Sequence, residues 1–135
     1  MLIKILKKEM KKIIFVFMAI LFATASSFAQ EGKAIISAEE SIHDFGEFKE
    51  NDGSVSHSFT IKNVGSTPLV VTRVIASCGC TTPEWTKEPI APGKTGEINV
   101  TYDPKGRPGS FSKTISVYSN GKQGSFILTI KGEVQ

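Results

Sequence analysis

The chain holds two cysteines, one tryptophan and two histidines in 135 residues, and it has no long apolar run. A membrane-spanning helix needs about 20 predominantly apolar residues. The longest apolar run here, residues 13–22, is about half of that, so no permanent span is expected. Cysteines separated by a single residue cannot staple facing sheets, because an antibody-type bridge joins cysteines dozens of residues apart around a buried Trp. Any core must therefore stand on apolar burial. No basic cluster with interleaved aromatics marks a nucleic-acid surface. No glycine-rich nucleotide loop is present either: Gly106, Gly109, Gly121 and Gly124 stand in turn contexts and do not precede a helix. From residue 30 onward no segment carries helical periodicity.

The N-terminus reads as a targeting segment. Lys4, Lys7, Lys8, Lys11 and Lys12 precede the apolar run, and Ser26, Ser27 and Ala29 follow it, which is the pattern of a secretory signal peptide. Cleavage is expected after Ala29, giving a leader of residues 1–29 and a single domain of residues 30–135. Met10-Lys11-Lys12 is an ordinary leader opening in its own right, so Met10 is a second candidate start. No cysteine stands at the cleavage point, so the product is expected to be exported, periplasmic or extracellular, and not a lipoprotein. The leader takes five of the 16 Lys and Arg and one of the 13 Asp and Glu, leaving 11 and 12, net about −1. The basic character of the whole chain therefore says nothing of nucleic acid or acidic membranes.

The remaining chain alternates short β-branched segments with Gly, Pro and Asn punctuation, the pattern of a sandwich or barrel. Residues 34–38 and 42–45 read as one broken first strand. Val55, His57, Phe59 and Ile61 alternate with polar residues, so one face is core. Residues 69–76 are apolar on both faces apart from Thr72 and Arg73, and predict a strand covered more fully than its neighbours. Ile98, Val100 and Tyr102, then Phe111, Ile115 and Val117, then Phe126, Leu128 and Ile130 repeat the period of two. Pro92-Gly93 and residues 103–109 are turn chemistry, and Asn120-Gly121 is the strongest hairpin signal. With one short strand allowed after Trp85, about seven strands result. The class is all-β, an immunoglobulin-like β-sandwich.

Several of these residues also carry a family resemblance. His43-Asp44-Phe45-Gly46, residues 59–65 with Pro68-Leu69, Ser77-Cys78-Gly79-Cys80-Thr81-Thr82-Pro83-Glu84-Trp85, Pro92-Gly93, Gly96 and Ser119-Asn120 resemble the bacterial family called domain of unknown function 1573, over about residues 36–134. The resemblance implies an exported Ig-like domain, similar to modules of cilium-associated and sperm-protein-like families, and no agreed activity.

Each motif residue also has a local reading. Asn63 and Gly65 suit a tight reversal before Pro68, and Phe45-Gly46 lets the first strand kink. Trp85 is expected to lid the open end of the sandwich beneath the cysteine loop, with a ligand platform as the alternative.

Four readings remain open for Cys78 and Cys80. In an exported protein a disulfide is the first. Extended i, i+2 residues hold their Cα atoms about 6.5 Å apart, near the upper edge of the roughly 4.4–6.8 Å disulfide range, and a bend at Gly79 would bring them closer. So small a ring removes little chain entropy and is comparatively easy to reduce. The second reading is a pair of buried thiols. The third is a Cu(I) or Zn(II) site borrowing His43 or His57. It lacks the second Cys pair of strong zinc signatures, and His57 shares the parity of core residues, so it reads as a strand histidine. No metal and no cofactor is therefore assigned.

The fourth reading is thiol-disulfide catalysis, which normally uses Cys-x-x-Cys at a helix start. Here the spacing is shorter and Glu84 is the nearest charge. A single sandwich of about 106 residues leaves little room for the cleft of other hydrolases. The acidic residues Glu39, Glu40, Glu47, Glu50 and Asp52 read as protection of an early edge strand. The expected function is thus a non-enzymatic binding or structural module of the bacterial envelope. Its partner would be a protein or envelope component, taken by strand addition beside the broken first strand. Redox or soft-metal chemistry at the Cys-Gly-Cys pair is the alternative.

Overall fold

The computed structural model describes residues 1–23 and 32–135. The expected cleavage point, with Ser26, Ser27, Ala29 and Gln30, lies outside them. Residues Leu2–Ala23 form a helix, α1. Among the described residues no helix is long and apolar enough to cross a membrane.

The second compact unit, Gly32–Gln135, contains eight strands. They are β1 (Ile36–Ala38), β2 (Ile42–Phe48), β3 (Val55–Asn63), β4 (Val71–Ala76), β5 (Thr81–Trp85), β6 (Thr95–Tyr102), β7 (Gly109–Ser119) and β8 (Phe126–Val134). Two four-stranded sheets result, ordered β1-β3-β6-β5 and β2-β8-β7-β4. The period-two segments fill the space between them. Phe59, Ile61, Ile98, Val100 and Tyr102 from the first sheet meet Ile115, Val117, Leu128 and Ile130 from the second, all essentially out of solvent. Each such side chain contributes roughly 1.5–3 kcal/mol of apolar burial, which is how the sandwich manages without an inter-sheet staple.

The structure corrects several sequence expectations. The broken first strand is two strands in two sheets. Residues 36–38 run antiparallel to β3, the chain crosses over at residues 39–41, and β2 runs parallel to β8. This raises the count from seven to eight. The kink at Gly46 belongs to β2, where the register shifts between Asp44 and Glu47. Gly46 takes φ 69° there, and its N–H donates to Asp44 Oδ1 at 2.8 Å, a bulge that a side chain would oppose.

The short strand near the tryptophan ends at Trp85 instead of following it, and carries Pro83 on a sheet edge, where a missing N–H is tolerated. β4 is likewise an edge strand and not the best-covered one. Only Val71 and Val74 are buried along it, and Ile75 is 44% exposed. Leu69 leaves that sheet altogether to bridge Ile90, and a register shift between Val71 and Arg73 breaks the phase that the apolar run implied.

Asn120-Gly121 does not make a two-residue hairpin. Gly121 has no positive φ, and residues 120–125 form a wide loop. The Asn120 side chain is committed elsewhere, accepting from Val70 N–H at 2.8 Å and donating to the Pro68 carbonyl at 3.0 Å. The proline turn is as expected. Gly93 takes φ 78° and Lys94 N–H donates to the Ala91 carbonyl at 3.0 Å, a type II turn with Pro92 ahead of the glycine.

Candidate functional site

The sheet order puts β1 and β2 along one lateral edge of the sandwich, and β4 and β5 along the other. At each edge the chain crosses between sheets, and each crossover is clasped by side chains.

At the β4/β5 edge the clasp is the cysteine turn. Cys78 and Cys80 are bridged, with Cα atoms 5.2 Å apart. Thr81 N–H donates to the Cys78 carbonyl at 3.1 Å, so a tight turn replaces the extended chain. Gly79 makes that turn without positive φ, and a Cβ placed on it would meet nothing within 4 Å. The bend therefore does not depend on glycine, contrary to the sequence reading. Cys80 and Thr81 are buried, and Cys80 holds the chain by accepting from Asp103 N–H at 2.9 Å through its carbonyl. Tyr102, opposite Thr81, has its phenol pushed up by burial, against the pull of Arg107 and with a smaller push from Asp103.

Trp85 is not beneath this turn. It stands four residues further along β5, about 13 Å at 3.3 Å per residue, opposite Ile98 and half-buried against the core. Lys87 Nζ covers the ring at 3.1 Å from its centroid, a cation–π cap. Cys78→Ser with Cys80→Ser is expected to cost about 1–2 kcal/mol, measured by urea unfolding with and without reductant. A loss above 4 kcal/mol would contradict so small a clasp.

At the β1/β2 edge the clasp brings together residues that the sequence reading kept apart. His43 on β2 and His57 on β3 stack face to face, ring centroids 3.6 Å apart and planes within 6°. Glu40, from the crossover, reaches both: Oε1 lies 3.2 Å from His43 Nδ1 and Oε2 lies 3.3 Å from His57 Nε2. The first contact is a hydrogen bond. The second has the distance without the angle, and His57 Nε2 is left buried and without a hydrogen-bond partner. Phe45 packs edge-on to His43 and Phe59 edge-on to His57, both at 4.7 Å. Burial, then the neighbouring His43, hold the His57 imidazole below its usual value, against the opposing pull of Glu40.

Among the described residues this is the group of His, Cys, Asp and Glu side chains whose donor atoms converge, all within 4.8 Å. Strands β3 and β5 flank β6 on opposite sides, so neither histidine is available to the cysteines. The parity of His57 was legible in sequence. Its meeting with His43 was not, because it depends on the sheet switch at residues 39–41.

Three of the other acidic residues hold neighbouring segments. Glu50 Oε1 accepts from Gly106 N–H at 2.7 Å, Asp52 Oδ2 from Lys49 N–H at 3.1 Å, and Glu47 Oε2 from Gln135 Nε2 at 3.1 Å.

Asn63 is the internal hub of the motif. It is wholly buried. Its Oδ1 accepts from Gly65 N–H at 3.0 Å and Ile35 N–H at 3.4 Å, while Nδ2 donates to the Thr67 carbonyl at 2.7 Å and the Ile90 carbonyl at 2.9 Å. Gly93 N–H donates to its backbone carbonyl at 2.8 Å, so Pro92-Gly93 is aimed by the same residue. Beside it, Gly65 lies against the backbone of residues 33–35. These residues build the fold and present no reactive group.

Comparison with known proteins agrees with this architecture. A protein of unknown function from Porphyromonas gingivalis W83 superposes with TM-score 0.65 at 19% identity, covering 74% of this chain and 46% of that one. The PapD-like domain 7 of human CEP192 gives 0.61 at 8% identity, covering 76% of this chain and 87% of that domain. The VesB protease of Vibrio cholerae gives 0.57 at 18% identity, covering 76% of this chain and 32% of the protease. At these identities the likeness is one of fold, and the chain spans less than half of the P. gingivalis and V. cholerae structures it matches. No curated protein matches it in sequence. The family described as protein of unknown function (DUF1573) matches residues 36–134, and with the Ig-like sandwich and the motif residues in place around Asn63, the chain belongs to that family.

Proposed function

We propose that this chain is an exported, non-catalytic binding module that takes an extended partner segment along the open side of β3. The leader-like N-terminus supports export. The observation that carries the binding role is the mismatch between β1 and β3. The three residues of β1 pair only with Ile61, Lys62 and Asn63 of the nine-residue β3. On the opposite side β6 pairs with β3 from Val55 to Lys62.

Asn63 N–H bonds toward β6 and Val64 N–H toward Ile35, and backbone groups alternate sides along a strand. The N–H and C=O groups of Ser56, Ser58 and Thr60 therefore point to the side where β1 has already ended. A groove of about 320 Å³ runs along that side, bordered by Ser58, Thr60, Glu39 and Glu40. Such a bare edge is a template for strand addition, with main-chain hydrogen bonds supplying the affinity. The edge at β2 is blunted by the Gly46 bulge, and the edge at β5 by Pro83.

Ser58→Pro removes one of the outward N–H donors while sparing the ladder to β6. It is expected to weaken partner binding at least tenfold, by about 1.4 kcal/mol or more, with the far-ultraviolet circular dichroism unchanged. Hydrogen exchange at Ser58 and Thr60 should slow when the partner is bound. If binding instead survives Ser58→Pro and is lost in Cys78→Ser with Cys80→Ser, the thiol pair is the working site and strand capture is rejected.

A further inference from the structure

We propose that Glu40, His43 and His57 form a binding site for a divalent transition-metal ion, zinc by its donor set, bridging the two sheets at the first crossover. Two imidazole nitrogens and one carboxylate are the ligands that zinc accepts in three-residue sites, leaving a fourth position for water or a ligand. Tetrahedral ligands 2.0–2.1 Å from zinc stand about 3.3–3.4 Å from one another. Glu40 Oε1 stands 3.2 Å from His43 Nδ1 and Oε2 stands 3.3 Å from His57 Nε2, and one donor atom from each of the three residues falls within 4.8 Å of the others, so a modest contraction completes the set.

The three residues come from β2, β3 and the crossover between β1 and β2, so the convergence is made by the fold and not by neighbours on one strand. A second observation points to a ligand: His57 Nε2 is buried and lies 3.3 Å from Glu40 Oε2, yet the angle there is not that of a hydrogen bond. A metal ion satisfies that nitrogen where the carboxylate, at its present angle, does not. The aromatic edges of Phe45 and Phe59 border the rings and offer no competing donor or acceptor.

A ring nitrogen binds metal in the plane of its own ring, and the two rings lie parallel, so loading must unstack them. His43, on the edge strand β2 and slightly the more exposed of the two at 26% against 21%, is the ring assigned that turn. This site is separate from the cysteine pair, and it shares Glu40 with the groove beside β3.

The test is titration of the untagged full chain with Zn²⁺ by calorimetry near pH 7.5, and with Co²⁺ by visible absorption. One equivalent is expected to bind. The cobalt form should show the intense bands of a four-coordinate site, and the ring proton signals of both histidines should shift in the nuclear magnetic resonance spectrum. His43→Gln and Glu40→Gln, both at partly exposed positions, should each weaken binding by about tenfold or more. Cys78→Ser with Cys80→Ser should leave it within about twofold. Absence of saturable binding up to millimolar Zn²⁺ would overturn the site. Binding that is unchanged in His43→Gln, or that moves with the cysteines, would do so equally.

Discussion

Asn63→Ala is expected to destabilise the domain by about 3–4 kcal/mol. The side chain closes four hydrogen bonds in a wholly buried position. Alanine leaves Gly65 N–H and the Thr67 carbonyl without the partners that face them, at about 1–3 kcal/mol each for a buried unpaired group. Ile35 N–H loses a longer contact. The Ile90 carbonyl keeps its bond from Leu69 N–H, which limits the damage. For a domain of about 100 residues this lowers the melting temperature by at least roughly 12 °C. Urea unfolding should show a lower midpoint at an unchanged slope. Asn63→Asp is no rescue, because a carboxylate supplies acceptors where two carbonyls need donors. A loss below about 1 kcal/mol would mean that the hub is not what ties these loops together.

Gly65→Ala is expected to cost about 3 kcal/mol through an unrelated cause. The glycine has no positive φ, so conformational freedom is not the issue. A Cβ there would sit on the Lys33 carbonyl oxygen, 2.6 Å from the Ile35 nitrogen and 2.8 Å from the Ala34 Cα. All are backbone atoms that cannot rotate away, and overpacking of this kind typically costs 1–3 kcal/mol before hydrogen bonds are counted. The bonds from Val64 N–H to the Ile35 carbonyl and from Ser66 N–H to the Lys33 carbonyl hold the segment in that place. Amides 64 and 66 should therefore lose hydrogen-exchange protection while the β7/β8 ladder keeps its own. Gly79→Ala is the control, expected to stay within about 0.5 kcal/mol, since no atom lies within 4 Å of the added carbon. Equal losses at the two glycines would remove the steric account.

Much of the sandwich was legible because burial on one face writes a period of two. Val55, Phe59 and Ile61, then Ile98, Val100 and Tyr102, then Ile115 with Val117, and Leu128 with Ile130 all point inward as their alternation indicates. What alternation does not encode is which sheet a strand joins. Residues 36–38 and 42–48 read as one interrupted strand because the side-chain pattern is the same whichever neighbour accepts the hydrogen bonds. The edge position of β4 was hidden for a related reason: Leu69 is buried through its bridge to Ile90 and Val74 through the sheet, two environments that look like one run in sequence. Asn120 was misread because its amide is spent on the chain at residues 68–70, some fifty positions away. The cysteine pair was conspicuous by rarity, whereas Glu40, His43 and His57 were inconspicuous and became a constellation only through the crossover.

The parallel pairing of β2 with β8 governs how the domain comes into being. β2 is made early and its partner last: Ile42 lies beside Thr129, and Phe48 beside Val134. Until β8 has emerged, β2 has no ladder to join and β7 offers a bare flank of eleven residues. Pairing across so many positions is slow to nucleate. A half-made chain thus holds one sheet in which β3 and β6 can already meet and a second that has only β4 against β7. Unpaired strand flanks in such an intermediate attract other chains. The vulnerable interval for this protein is accordingly its synthesis, and a chaperone that shields β7 until β8 arrives would raise the yield of folded protein without touching its final stability.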